Sequence, residues 1–159
     1  METPHKKAVY GEVIRSLDAL LSGNEENERL DEIAKMALVN TIVKRAFPHL
    51  LFVGFYRVVE PGLLQIGPYQ GDVIACATIP FERGVCGACA SSGKTVIVPE
   101  VLRFPGYIAC DTRTRSEIVV PVQQNGSVIA VFDLDSLEPD GFDQTDQTYL
   151  ELIVETFFS

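Results

Sequence analysis

Apolar residues recur at helical spacing near the start of the chain: Val9, Val13, Ile14, Leu17, Leu20 and Leu21 form one stripe, which Ser22-Gly23-Asn24 breaks. Leu30, Ile33, Ala37, Leu38 and Ile42 repeat the pattern and predict a second amphipathic helix ending before Pro48. Glu25, Glu26 and Glu28 give it acidic first turns, suited to the positive end of a helix dipole. From Leu50 the period changes. Leu50 to Val59 predicts a strand, Pro61-Gly62 a turn, and Leu63 to Ile66 the returning strand of a hairpin. Small residues from Gly84 to Ser92 predict a short helix stopped by Gly93. Thr95 to Val98 reads as a short strand. Arg103 to Arg115, with Pro105-Gly106 inside it, reads as a long connection of the kind that often carries function. Glu117 to Val122 and Ser127 to Asp135 flank Asn125-Gly126, a strong hairpin signal. Phe142 to Phe158 closes the chain as a helix, with Asp143 as its cap and Leu150, Ile153, Val154 and Phe157 on one face.

Helices at both ends of a run of hairpin-linked strands predict an α+β domain with a central antiparallel sheet flanked by N- and C-terminal helices. No repeat, low-complexity tract or linker divides the chain, so residues 1–159 are expected to form one domain.

Charge removes two classes of partner. The net charge is −9 and the 13 basic residues are scattered, whereas nucleic acids and anionic membranes select clustered Lys and Arg. No apolar run is long enough to span a bilayer. Met1-Glu2-Thr3-Pro4-His5-Lys6-Lys7 has no apolar stretch of the secretory kind, so a cytoplasmic location is expected. Thiols stay reduced there, and four cysteines then point to redox chemistry, catalysis or metal rather than to structural bridges.

Three of the cysteines sit in related settings: Ile74-Ala75-Cys76, Gly84-Val85-Cys86-Gly87 and Ile108-Ala109-Cys110-Asp111. Glu117, Asp133 and Asp135 follow. An oxidisable thiol, thiols that can resolve it and acids that can deliver a proton are the parts of a thiol reductase. Asp133 and Asp135 are two apart on a predicted strand and share a face with Val131 and Ile129, where acids are expensive to bury without a task. Cys86-Gly87-Ala88-Cys89 is a CxxC, but no second knuckle accompanies it, so structural zinc is disfavoured and no metal is expected. The residues alone leave open whether Cys76 or Cys86 pairs first with Cys110.

The run from Leu64 to Asp135 resembles the GAF-domain free methionine-(R)-sulfoxide reductases. The resemblance is carried by Ile66-Gly67-Pro68-Tyr69-Gln70-Gly71, Ala75-Cys76-Ala77-Thr78-Ile79-Pro80 and Arg83-Gly84-Val85-Cys86-Gly87. It continues through Phe104-Pro105-Gly106-Tyr107-Ile108-Ala109-Cys110-Asp111, Arg115-Ser116-Glu117-Ile118-Val119-Val120-Pro121 and Asp133-Leu134-Asp135-Ser136. Weaker similarity includes Val53-Gly54-Phe55-Tyr56. The resemblance implies a GAF-like fold and reduction of free methionine-(R)-sulfoxide through a cysteine sulfenic acid and an intramolecular disulfide. It implies Cys110 as nucleophile, Cys76 as the main resolving thiol and Cys86 as a third participant. Glu117, Asp133, Asp135, Phe52 and Tyr56 would hold the substrate. It further implies thioredoxin as reductant, no cofactor, and a homodimer by analogy with relatives. Family members often carry a tryptophan where this chain has Phe52, a smaller aromatic wall. Cys89 has no part in the implied mechanism and is expected to be a small core residue. The rival expectation is a GAF-type sensor of a small ligand such as a cyclic nucleotide, without catalysis. An acidic pocket would repel its phosphate, and no output segment is seen after Phe158.

Overall fold

A computed structural model of the chain describes residues 3–22 and 30–159. Gly23-Asn24 and the acidic turns at Glu25, Glu26 and Glu28 lie outside the described residues. Four α-helices and six strands follow in the order α1 (Thr3–Leu21), α2 (Glu32–Ala46), β1 (Leu50–Glu60), β2 (Leu63–Gly71), β3 (Thr78–Pro80), α3 (Gly84–Ser92), β4 (Val96–Val98), β5 (Ser116–Gln124), β6 (Ser127–Ser136) and α4 (Gln144–Phe158). Among the described residues a 3-10 turn, Val101–Arg103, leads into the long connection.

The strands form one antiparallel sheet in the order β3-β2-β1-β6-β5-β4. The β5–β6 hairpin turns at Asn125 and Gly126, both at positive φ (51° and 79°), the geometry that gives a two-residue turn its right-handed twist. α2 starts at Asp31, whose carboxylate accepts from the Ala34 amide. α4 starts at Asp143, which forms a reciprocal capping box with Asp146.

Strand alternation divides the apolar residues between two faces. Val53, Phe55, Ile118, Val120, Phe132 and Leu134 pack under α1, α2 and α4. Phe52, Tyr56, Val119 and Val131 pack on the other face with Val85 and Cys89 of α3. Ile129 departs from expectation: it packs with the helix-covered face, not beside Asp133 and Asp135. The β5–β6 register slips between Val122 and Gln123, so β6 carries an extra residue there and the alternation is reset. Val131 does share the face of the acids.

Helices α1 and α4 are tied by a buried polar cluster. Lys6 Nζ donates to Asp146 Oδ2 at 2.5 Å and to Asp143 Oδ2 at 3.0 Å, and the Tyr10 hydroxyl donates to Asp146 Oδ1 at 2.9 Å. Each polar group buried here finds a partner, as burial demands.

Candidate active site

The centre of the sheet presents three strands to the α3 side. In register, Phe52 of β1 lies opposite Asp135 of β6, which lies opposite Glu117 of β5. Gly54 lies opposite Asp133, and Tyr56 opposite Val131. Period-two alternation thus brings two aromatics and three acids onto one floor. Gly54 is there because nothing larger fits: a Cβ would come within 2.5 Å of the Phe52 ring and of Tyr69 Cβ. The vacated space lets Phe52 stack on Tyr69, with ring centroids 5.3 Å apart.

α3 roofs this floor. Gly87 allows the close approach, since a Cβ there would meet the Pro80 and Phe81 carbonyl oxygens at 2.4 and 2.7 Å. The approach pushes Cys86 down onto the acids. Its thiol donates to Asp133 Oδ2 at 3.3 Å and lies 3.9 Å from Glu117 Oε1. Cys86, Asp133 and Glu117 are 3%, 5% and 6% exposed.

The electrostatics follow from that burial. Desolvation pushes the Glu117 and Asp135 carboxyls well above the usual carboxylate range, and the charge of Asp133 adds to both shifts. Desolvation raises Asp133 from 3.8 to about 7, offset in part by hydrogen bonds from Cys86 and Glu117. The Cys86 thiol is pushed up as well, by burial first and by Asp133 and Glu117 next. Asp133 Oδ1 and Asp135 Oδ1 are buried with no hydrogen-bond partner. Among the described residues every ion pair lies elsewhere, on Lys6, Lys35, Arg113 and Arg115. The floor is acidic, and no ion pair among the described residues neutralises it.

The mouth of the pocket is closed by two loops. Cys76, on the connection after β2, is joined to Cys110, on the connection before β5, in a disulfide with Cα atoms 5.2 Å apart. Cys86 and Cys89 are free thiols, both buried. In this form about 30 Å³ over the acids is open to the centre of a water molecule, room enough for water to enter. Its lining includes Phe52, Tyr56, Cys86, Cys110, Glu117, Asp133 and Asp135.

A GAF domain family model matches residues 28–157. The free methionine-R-sulfoxide reductase of Saccharomyces cerevisiae is 35% identical over 95% of this chain and 84% of its own length. That of Escherichia coli is 32% identical over 94% and 87%. The X-ray structure of the free methionine-R-sulfoxide reductase of Neisseria meningitidis in complex with its substrate superposes with a TM-score of 0.86 at 38% identity, covering 96% of this chain and 87% of that one. The chain belongs to the GAF-domain free methionine-(R)-sulfoxide reductase family.

Within this member of the family, all eight residues singled out from the sequence (Cys76, Cys86, Cys110, Glu117, Asp133, Asp135, Phe52 and Tyr56) gather at one place. Seven line the pocket, and Cys76 reaches it through its bond to Cys110. Cys89 is fully buried in the apolar layer under α3. The arginines near Cys110 in sequence are each held by a carboxylate: Arg113 pairs with Asp111 at 2.7 Å and Arg115 with Glu100 at 2.5 Å. Tyr107 and Thr114 were not found by sequence reasoning. Both line the pocket. Tyr107 falls within a stretch that carries the family resemblance, whereas the signal for Thr114 is its place in the long connection.

Proposed function

We propose that this protein reduces free methionine-(R)-sulfoxide to methionine, with Cys110 as nucleophile and Cys76 as resolving thiol. One observation carries the reading: the Cys110–Cys76 disulfide stands at a pocket whose floor is three acids, two of them, Asp133 and Asp135, with a buried oxygen that has no partner. In the reduced protein the Cys110 thiolate attacks the substrate sulfur. The sulfoxide oxygen accepts a proton and passes to Cys110 as a sulfenic acid, and methionine leaves as the thioether. The Cys76 thiolate then attacks Cys110, the S–S bond forms and water departs. An external dithiol, for which we take thioredoxin, reverses the disulfide by thiol–disulfide exchange.

The acids divide the remaining work. Asp135 lines the pocket together with Cys110 and Thr114. Burial pushes its carboxyl well above the usual carboxylate range, which suits it to protonate the leaving oxygen. Asp133, with Oδ1 free and its proton balanced near neutrality, meets the substrate α-ammonium together with Glu117. A peptide-bound methionine has no ammonium to offer, which supports selection of the free amino acid. Phe52 and Tyr56 give the side chain its apolar wall. The pocket lining carries no Lys, Arg or His to pair a nucleotide phosphate, so catalysis is preferred over ligand sensing. We place the enzyme in the cytoplasm, where a reductant for the disulfide is at hand; no described helix is long and apolar enough to cross a membrane.

The test is consumption of each free sulfoxide epimer with thioredoxin or dithiothreitol as donor. The R epimer should be consumed and the S epimer left, and Cys110→Ser should remove all turnover. Retained activity in Cys110→Ser would overturn the choice of nucleophile. Tight cyclic-nucleotide binding without sulfoxide turnover would restore the sensor reading.

A further inference from the structure

The thiol of Cys86 is left over from the proposed redox cycle, yet it is the group most closely packed against the acids. We propose that Cys86 Sγ, one oxygen of Glu117 and one oxygen of Asp133 form a binding site for a divalent, thiol-preferring cation of the zinc or cadmium type.

The geometry is already that of a ligand set. The three donor atoms lie within 4.8 Å of one another, with sulfur 3.3 Å from the Asp133 oxygen and 3.9 Å from the Glu117 oxygen. A tetrahedral ion with bonds of about 2.3 Å to sulfur and about 2.0–2.2 Å to oxygen holds such atoms roughly 3.5 Å apart. The observed spacings bracket that value, so an ion can enter with little rearrangement of the three side chains. Tetrahedral sites with three protein ligands leave a fourth position for water, and here that position opens on the pocket.

A second observation points to a cation independently of the cluster. Asp133 is 5% exposed, and its Oδ1 has no partner. Asp135 Oδ1, across the same cavity, is also buried and unpartnered. Unsatisfied buried carboxylate oxygens are costly and call for a positive ligand.

Binding is a proton-for-metal exchange with no redox change. The cation forms a bond to Cys86 sulfur as the thiol proton leaves, and any proton on Glu117 or Asp133 leaves with it. The bound ion would occupy the oxygens assigned above to the substrate ammonium, so the reduced enzyme should be inhibited in competition with the sulfoxide. That consequence rests on the proposed reductase function; the site itself does not.

The two are kept apart by measuring metal binding on the disulfide form, without substrate or turnover. There Cys76 and Cys110 cannot serve as ligands, and Cys86 and Cys89 are the only thiols. Titration with cadmium chloride, followed in the ultraviolet, should show one equivalent bound with a thiolate-to-cadmium absorption band. Zinc chloride should displace it. Cys86→Ser should abolish the band and Cys89→Ser should leave it. Asp133→Asn should weaken binding by about tenfold or more. Asp133→Asn keeps the thiol and the shape of the site, so it carries the test where Cys86→Ser does not fold. Absence of the band in the unaltered protein, its survival in Cys86→Ser, or unchanged affinity in Asp133→Asn would each overturn the proposal.

Discussion

Replacing Asp133 by Asn should remove a specific, pH-dependent part of the stability. In the folded protein burial raises Asp133 from 3.8 to about 7, because its carboxylate would lose water that Cys86 and Glu117 replace only in part. In the unfolded chain the same group releases its proton near pH 3.9, the ordinary Asp value. Between those points the folded state binds more protons than the unfolded one, so stability falls as pH rises. The contribution is fully present below about pH 4 and is lost as pH climbs through about 7. Three units at about 1.4 kcal/mol each amount to about 4 kcal/mol, a large part of the stability of an ordinary domain. Asn has nearly the same shape and no proton to lose. Urea unfolding of the disulfide form, at steps from about pH 4 to about pH 7, should therefore show the unaltered protein losing its advantage over Asp133→Asn. A stability difference between the two that stays constant with pH would refute the claim that this acid is held neutral by burial.

Further outcomes follow from other parts of the molecule. Gly54→Ala places a methyl group within 2.5 Å of Phe52 and Tyr69, so it should cost about 1–3 kcal/mol in chemical denaturation and raise KM more than it lowers kcat. Lys6→Met strands Asp146 without its cation, at a cost of about 3 kcal/mol, while Lys6→Met with Asp146→Asn should recover part of it; equal losses in the single and double variants would deny the coupling. Asp135→Asn removes the proposed proton donor, so kcat for the sulfoxide should fall by about 100-fold or more with little change in fold; a change in KM alone would reassign it to binding.

The legible parts of the fold were those with strong local signals. Asn125-Gly126 dictates its own turn geometry, and Asp143 caps α4 where the apolar stripe begins. Strand period placed Asp133 and Asp135 on one face, and the register confirms it by setting them opposite Gly54 and Phe52. The same rule failed at Ile129, because a bulge is a property of strand pairing and leaves no mark in local alternation. β3, three residues long, has too little sequence to show a period. The depth of Cys86 was hidden as well. It depends on α3 closing to within contact of the Pro80 and Phe81 carbonyls, a tertiary event with only Gly87 as a clue. Which cysteine pairs with Cys110 is decided by the paths of the two loops over the pocket. Their residues carry no periodic signal, and spacing along the chain therefore left Cys76 and Cys86 equal.

The assignment of roles to the thiols is tested most directly by one stoichiometric reaction. Fully reduced protein is mixed with one equivalent of free methionine-(R)-sulfoxide, without reductant, and the product disulfide is mapped by mass spectrometry of its peptides. One methionine should form for each Cys76–Cys110 disulfide, with Cys86 and Cys89 recovered as free thiols. A bridge containing Cys86, or sulfoxide left unconsumed by the reduced protein, would contradict the account.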